Sequence, residues 1–113
     1  MLSKENRLKR EKDFDIVFKS GKSVFDKVAG LKFQKNNRKN SRFAVVVGLK
    51  VSKSAVVRNK ARRQYREIIR LNLADIARGY DIIVLTSQKM LKMSSQQKEK
   101  ELKRVLKKAN LLT

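Results

Sequence analysis

The 113-residue chain has no cysteine, no histidine, no proline and no tryptophan. Without cysteine there is no disulfide framework, thiol nucleophile, iron–sulfur cluster or Cys-based zinc site. Without histidine there is no Ser-His-Asp or Cys-His catalysis and no imidazole metal ligand. Acids are scarce: ten Asp and Glu stand against thirty Lys and Arg, for a net charge of +20. In so cationic a field a carboxylic acid with a raised pKa is disfavoured, because neighbouring cations favour the ionised form. Conventional side-chain catalysis by this chain alone is therefore not expected. Long apolar runs are missing too. The longest, at 43–49, is far short of the roughly 20 residues that span a bilayer. The opening MLSKENR lacks the apolar stretch of a signal peptide. The expectation is a soluble, cytoplasmic protein.

What the chain does have is enough apolar content, 41%, for one packed domain over 1–113, with residues 1–10 as a flexible basic arm. The +20 charge lies well beyond the roughly 2–8 that suits a small domain for solubility. It implies a polyanionic partner, nucleic acid before an anionic membrane. A membrane binder would gather its charge on one amphipathic helix, whereas here the basic residues run from Lys4 to Lys108.

Periodicity gives the elements. Phe14, Val17 and Phe18 fall on one helical face within Glu11–Ser20, with Gly21 as a left-handed C-terminal residue. Ala29, Leu31 and Phe33 alternate within a strand-like stretch over 24–33. The polar, Asn-rich 34–41 reads as a hairpin loop. Residues 43–49 read as a strand buried on both faces. A second helix is predicted over 54–77, with Gly79 as its stop, and another central strand over 80–86. A capping-box pattern, Ser94 with Gln97, opens a last helix whose apolar face is Leu102, Val105, Leu106 and Ala109. The order helix, strand, strand, helix, strand, helix describes an α+β sandwich of helices against a small sheet.

The chemistry concentrates in the second helix. Arg58, Arg62, Arg66 and Arg70 recur every four residues; each step rises about 6 Å and turns about 40°, so they form one slanting ridge about 18 Å long. Val57, Ala61, Tyr65 and Ile69 make a parallel apolar ridge, with Ile68 beside it. Lys60 and Arg63 widen the basic face, and Asn59 adds an uncharged donor and acceptor. A guanidinium fork binds a phosphate through two parallel hydrogen bonds, and its plane stacks on bases. The plain alternative is a solvated face laced with i,i+4 ion pairs. Against it, residues 50–70 hold eight Lys or Arg and one acid, Glu67. A basic helix set between apolar strands fits RNA, where shape, phosphates and unstacked bases dominate recognition, better than a three-helix DNA reader.

The run KSAVVRNKARRQYRE at 53–67 resembles the signature of the bacterial ribonuclease P protein subunit. Arg7, Leu8 and Lys9 followed by Asp13, Phe14, Val17, Phe18 and Gly21 resemble that family's N-terminal helix. The strand over 45–53 and Asp81, Ile82, Ile83 and Val84 also agree in order. The resemblance implies an α+β fold with a left-handed crossover between parallel strands. It implies a catalytic RNA partner that, with Mg²⁺ ions on the RNA rather than on a protein site, removes the 5′ leader of precursor tRNA. Lys53, Arg58, Asn59, Lys60, Arg62, Arg63, Arg66 and Arg70 would then contact the catalytic RNA, and no residue of this chain would be catalytic. The family's Arg-Asn-Arg tripeptide ends here in Lys60, which keeps the charge without the fork. Phe14 and Phe18 would line a cleft for the single-stranded leader, together with Lys32 or Phe33. The plainer reading of both Phe side chains is core packing. The expected state of the protein without RNA is a monomer. A structural RNA-binding protein of the ribosome is the rival reading, and a DNA-binding module a third.

Overall fold

A computed structural model of the protein describes residues 2–113. Among them the elements run α1 (Glu11–Ser20), β1 (Lys22–Asp26), β2 (Ala29–Lys35), β3 (Arg42–Val46), α2 (Ala55–Leu71), β4 (Tyr80–Leu85), α3 (Gln88–Leu91) and α4 (Ser95–Lys108), with 3-10 turns at Lys4–Asn6 and Leu73–Asp75. The sheet order is β1-β2-β4-β3. β1 with β2 and β2 with β4 are antiparallel, while β3 with β4 is parallel, Ala44 lying opposite Ile83. This is the expected α+β class, with one strand and one short helix more than the sequence suggested.

The 24–33 stretch divides into two strands. Ala29, Leu31 and Phe33 mark β2, and β1 precedes it through a two-residue turn at 27 and 28, with Lys27 at φ 44°. Lysine is a poor signal for that conformation, which Gly or Asn usually supply. The 34–41 segment is not a hairpin loop, because β2 and β3 are not partners: β4 lies between them. β4 buries Asp81 through Val84 on both faces, and a strand so enclosed satisfies its backbone best with a neighbour on each edge. The loop thus crosses two strand spacings, roughly 10 Å. Its asparagines serve that crossing. Asn36 Nδ2 donates to Asp81 Oδ1 at 2.9 Å, and Asn36 N donates to the Gly79 carbonyl at 2.8 Å.

Two layers of core result. Leu31, Phe33, Phe43, Val45, Tyr65, Ile69, Ile82, Val84, Leu102 and Leu106 join the sheet to α2 and α4. Leu8, Val17, Ala44 and Ile83 join its other face to α1. The N-terminal segment, expected as a flexible arm, is placed over the outer edge of β3. Leu2 enters the first core and Leu8 the second. Leu8 N donates to the Phe43 carbonyl at 2.8 Å, and Asn6 Nδ2 donates to the Ser41 carbonyl at 2.9 Å. The free strand edge is thereby covered.

Gly21 is needed for a different reason from the one its sequence position suggested. Its φ is −76°, not left-handed. A Cβ there would sit 2.4 Å from the Val17 carbonyl oxygen and 2.9 Å from that of Phe33, so glycine lets α1 close on β2. α2 stops at Leu71 rather than at 77, where Asn72 Nδ2 donates to the Ile68 carbonyl at 2.8 Å. The capping box of α4 forms as read: Ser94 Oγ accepts from Gln97 N at 3.2 Å, and Gln97 Oε1 accepts from Ser94 N at 3.3 Å.

Lys98 is buried between α2 and α4. Its ammonium donates to Gln64 Oε1 and lies 5.8 Å from the Tyr65 ring centroid, and no carboxylate pairs with it among the described residues. Burial, and then the charge of Lys60, hold its pKa below the ordinary 10.5. The native state therefore binds fewer protons than the unfolded chain between that lowered value and 10.5, so stability rises with pH across this window. Lys98→Met removes the buried charge and keeps the length. Calorimetry should give a higher Tm at neutral pH and a flatter dependence on alkaline pH.

Candidate nucleic-acid interface

α2 begins where Ser54 Oγ accepts from Val57 N at 3.3 Å. Ala61, Tyr65, Ile68 and Ile69 are buried, as the apolar ridge requires. Val57 is not: with Val56, 76% exposed, it sits on the first turn, which projects beyond the core.

The arginine ridge is present, but its members differ. Arg58 Nη1 donates to the Ser52 carbonyl at 2.9 Å, fixing the loop that leads into the helix. Arg62 Nη1 donates to Asn59 Oδ1 at 2.7 Å. Asn59, Arg62, Arg63 and Arg66 line one shallow depression with Val56. Burial first, and then the charges of Arg7 and Arg62, pull the Arg66 pKa down. Arg70 is different, because Glu67 accepts from its Nε and Nη2 at 2.5–3.1 Å. Lys53 is exposed in the loop before α2, and Lys60 is exposed on the flank nearer Lys98. Neither lines the depression. Arg7, which the local sequence does not single out for this surface, lines a neighbouring hollow with Arg63, Arg66 and Glu67. Nothing in the local pattern links residues so far apart in the chain.

The opposite face carries α1. Phe14 is half-buried against Leu8, Ala44 and Ile83. Phe18 is 42% exposed, and Lys32 Nζ lies 5.2 Å from its ring centroid, within cation–π range. Strand alternation separates the two candidates in β2. Lys32 faces α1, while Phe33 is buried on the α4 side, edge-to-face with Tyr80 at 6.3 Å. Phe25 stands on β1, a strand that the sequence pattern does not separate from β2. It pairs with Gly30 on the Lys32 face and is 61% exposed. Its ring lies over the glycine, where a Cβ would come 2.6 Å from Phe25 Cδ1. α1 is clamped to the sheet by Arg42, which donates to both Asp81 oxygens at 2.6 and 2.8 Å and to Asp13 Oδ2 at 3.2 Å. The Asp81 hydrogen bonds lead in raising the Arg42 pKa, ahead of an opposing effect of burial.

Residues 2–110 match the family model described as Ribonuclease P. The chain belongs to the ribonuclease P protein family. It is 38% identical over 104 residues to the ribonuclease P protein component of Pelotomaculum thermopropionicum, covering 92% of each chain. Against that of Thermotoga maritima it is 39% identical over 88 residues, covering 78% of this chain and 74% of the relative. The fold is similar to the solved Staphylococcus aureus RNase P protein, with a TM-score of 0.85 at 30% identity over 96% of this chain and 98% of that one. As a ribonuclease P protein component, it is a subunit of an endoribonuclease of tRNA processing, and its partner is an RNA subunit.

Among the described residues no three His, Cys, Asp or Glu side chains gather closely enough to hold a metal ion, and no helix is long and apolar enough to cross a membrane.

Proposed function

We infer that this ribonuclease P protein holds the catalytic RNA against α2 and the single-stranded 5′ leader of precursor tRNA between α1 and the sheet. The observation that carries this reading is the separation of two different surfaces by one sheet. On one side, Arg62, Arg63 and Arg66 crowd together in a depression shared with Asn59 and Val56, a cationic surface that suits the phosphates of a folded RNA. On the other, Phe18 and Lys32 leave an aromatic face and a cation partly open, which suits unpaired bases. Mg²⁺ carried by the RNA supplies the Lewis-acid chemistry of phosphodiester hydrolysis. This chain's residues neutralise and orient two polyanions that otherwise repel each other. The site of action is the cytoplasm. A purely structural ribosomal role leaves the aromatic groove without a use.

Phe18→Ala tests the groove. In the complex with catalytic RNA, affinity for precursor tRNA should fall by one base stack, about 1–3 kcal/mol or roughly fivefold to a hundredfold. Affinity for mature tRNA, which has no leader, should not move, and Tm should change little. Phe14→Ala should mainly lower Tm. An equal loss for both RNAs in Phe18→Ala would contradict the leader assignment.

A further inference from the structure

A cavity on the α4 side of the sheet belongs to neither surface. Cross-strand register sets Lys22 beside Phe33 and Lys35 beside Tyr80. These four line the cavity, which the C-terminal end of α4 closes at Lys108 and Asn110. It joins an apolar aromatic wall to amines that have no anionic partner among the described residues. Phe33 and Tyr80 meet edge-to-face at 6.3 Å. Lys108 Nζ donates to the Phe25 carbonyl at 2.8 Å, leaving Lys22 and Lys35 as the uncommitted cations. The negative end of α4 is blunted there, since Leu111 N donates to the Leu106 carbonyl at 2.8 Å and Asn110 N to that of Lys107 at 3.0 Å. Asn110 itself takes φ 63°, and its side-chain amide is unbonded among the described residues. An amide of this kind presents a donor and an acceptor to a base edge.

We propose that this cavity binds one unpaired nucleotide. The base lies on Tyr80 and meets the Asn110 amide, and its phosphate rests between Lys22 and Lys35. An aromatic ring bearing an anion satisfies both halves of the cavity; inorganic phosphate satisfies only the lysines and a neutral aromatic only the wall. The nucleotide is either free or extruded from an RNA strand, since both present the same base and phosphate. The cavity faces away from Phe18 and Lys32, so its occupancy does not depend on the leader groove.

Amide NMR of the full chain, titrated separately with adenosine 5′-monophosphate, adenosine, inorganic phosphate and a trinucleotide, tests this. The monophosphate should shift Lys22, Lys35, Tyr80 and Asn110, and bind more tightly than adenosine or phosphate. Tighter binding of the trinucleotide at the same amides assigns the site to an RNA strand; equal binding assigns it to a free nucleotide. Lys22→Ala with Lys35→Ala should weaken the monophosphate about tenfold. Asn110→Gly, which suits the positive φ, should weaken it about fivefold without lowering Tm. Phe18→Ala should leave these shifts unchanged. Shifts confined to α2 or to the Phe18 groove, equal affinity for inorganic phosphate, or no shifts at all would overturn the proposal.

Discussion

Replacing Arg62 and Arg66 together with alanine should lower affinity for the catalytic RNA by more than about a hundredfold, with little loss of fold stability. A hydrogen bond to a charged group contributes about 1.5–3 kcal/mol, and on the proposed reading each of these guanidiniums meets a phosphate. The slope of log affinity against log salt should flatten by about two units, one per lost phosphate contact. Stability should hold because Arg66 is repelled by both Arg62 and Arg7, and relief of that repulsion offsets the loss of the Arg62 hydrogen bonds to Asn59 and the Val47 carbonyl. Glu67→Gln should move affinity the other way, since Glu67 closes on Arg70 and neutralises the last rung of the ridge. A filter-binding series at several salt concentrations, run beside thermal melts, checks the pair of results. Equal losses from Arg62→Ala, Arg66→Ala and Glu67→Gln would mean that helix integrity, not charge placement, is being measured.

The second large effect lies in the fold. Arg42→Ala should lower Tm by about 10 °C or more. Its fork neutralises Asp81, whose side chain is only 10% exposed, and reaches Asp13 on α1. Removing one partner of a buried pair costs about 3–5 kcal/mol, because the other charge stays buried. For a domain of this size each kcal/mol moves Tm by about 4 °C. Combining Arg42→Ala with Asp81→Asn should recover part of the loss, since the stranded anion is then gone. Leader affinity should fall with Arg42→Ala as well, because α1 carries Phe18 and loses its clamp. Differential scanning calorimetry of the single and double variants decides the point; a double variant that melts no higher than Arg42→Ala would contradict the stranded-charge account.

What could be read in advance was local. The four-residue arginine repeat, the Ser94–Gln97 box and the apolar run of β4 each state their conformation within one or two turns of chain, and each appears where expected. What could not be read depended on partners distant in sequence. Nothing near 27 and 28 announces a tight turn, so β1 and Phe25 stayed hidden within one long strand. Pairing of β2 with β4 rather than β3 is set by which strand is enclosed on both faces, and a loop rich in Asn is compatible with either partner. Leu2 and Leu8 looked like incidental members of a basic stretch until the edge of β3 gave them somewhere to pack. That packing also carries Arg7 to Arg66 and enlarges the cationic surface. The choice between Lys32 and Phe33 turned on strand parity alone. It needed only the register of β2, which places Lys32 over Phe18 and Phe33 in the core.

The measurement closest to the central claim is cleavage of precursor tRNA by this protein mixed with a bacterial-type catalytic RNA at low Mg²⁺. The protein alone should cleave nothing, the RNA alone should cleave slowly, and the mixture should release the 5′ leader efficiently, with Arg62→Ala/Arg66→Ala failing to stimulate. Cleavage by the protein without RNA, or no stimulation of the RNA at any salt concentration, would contradict the account.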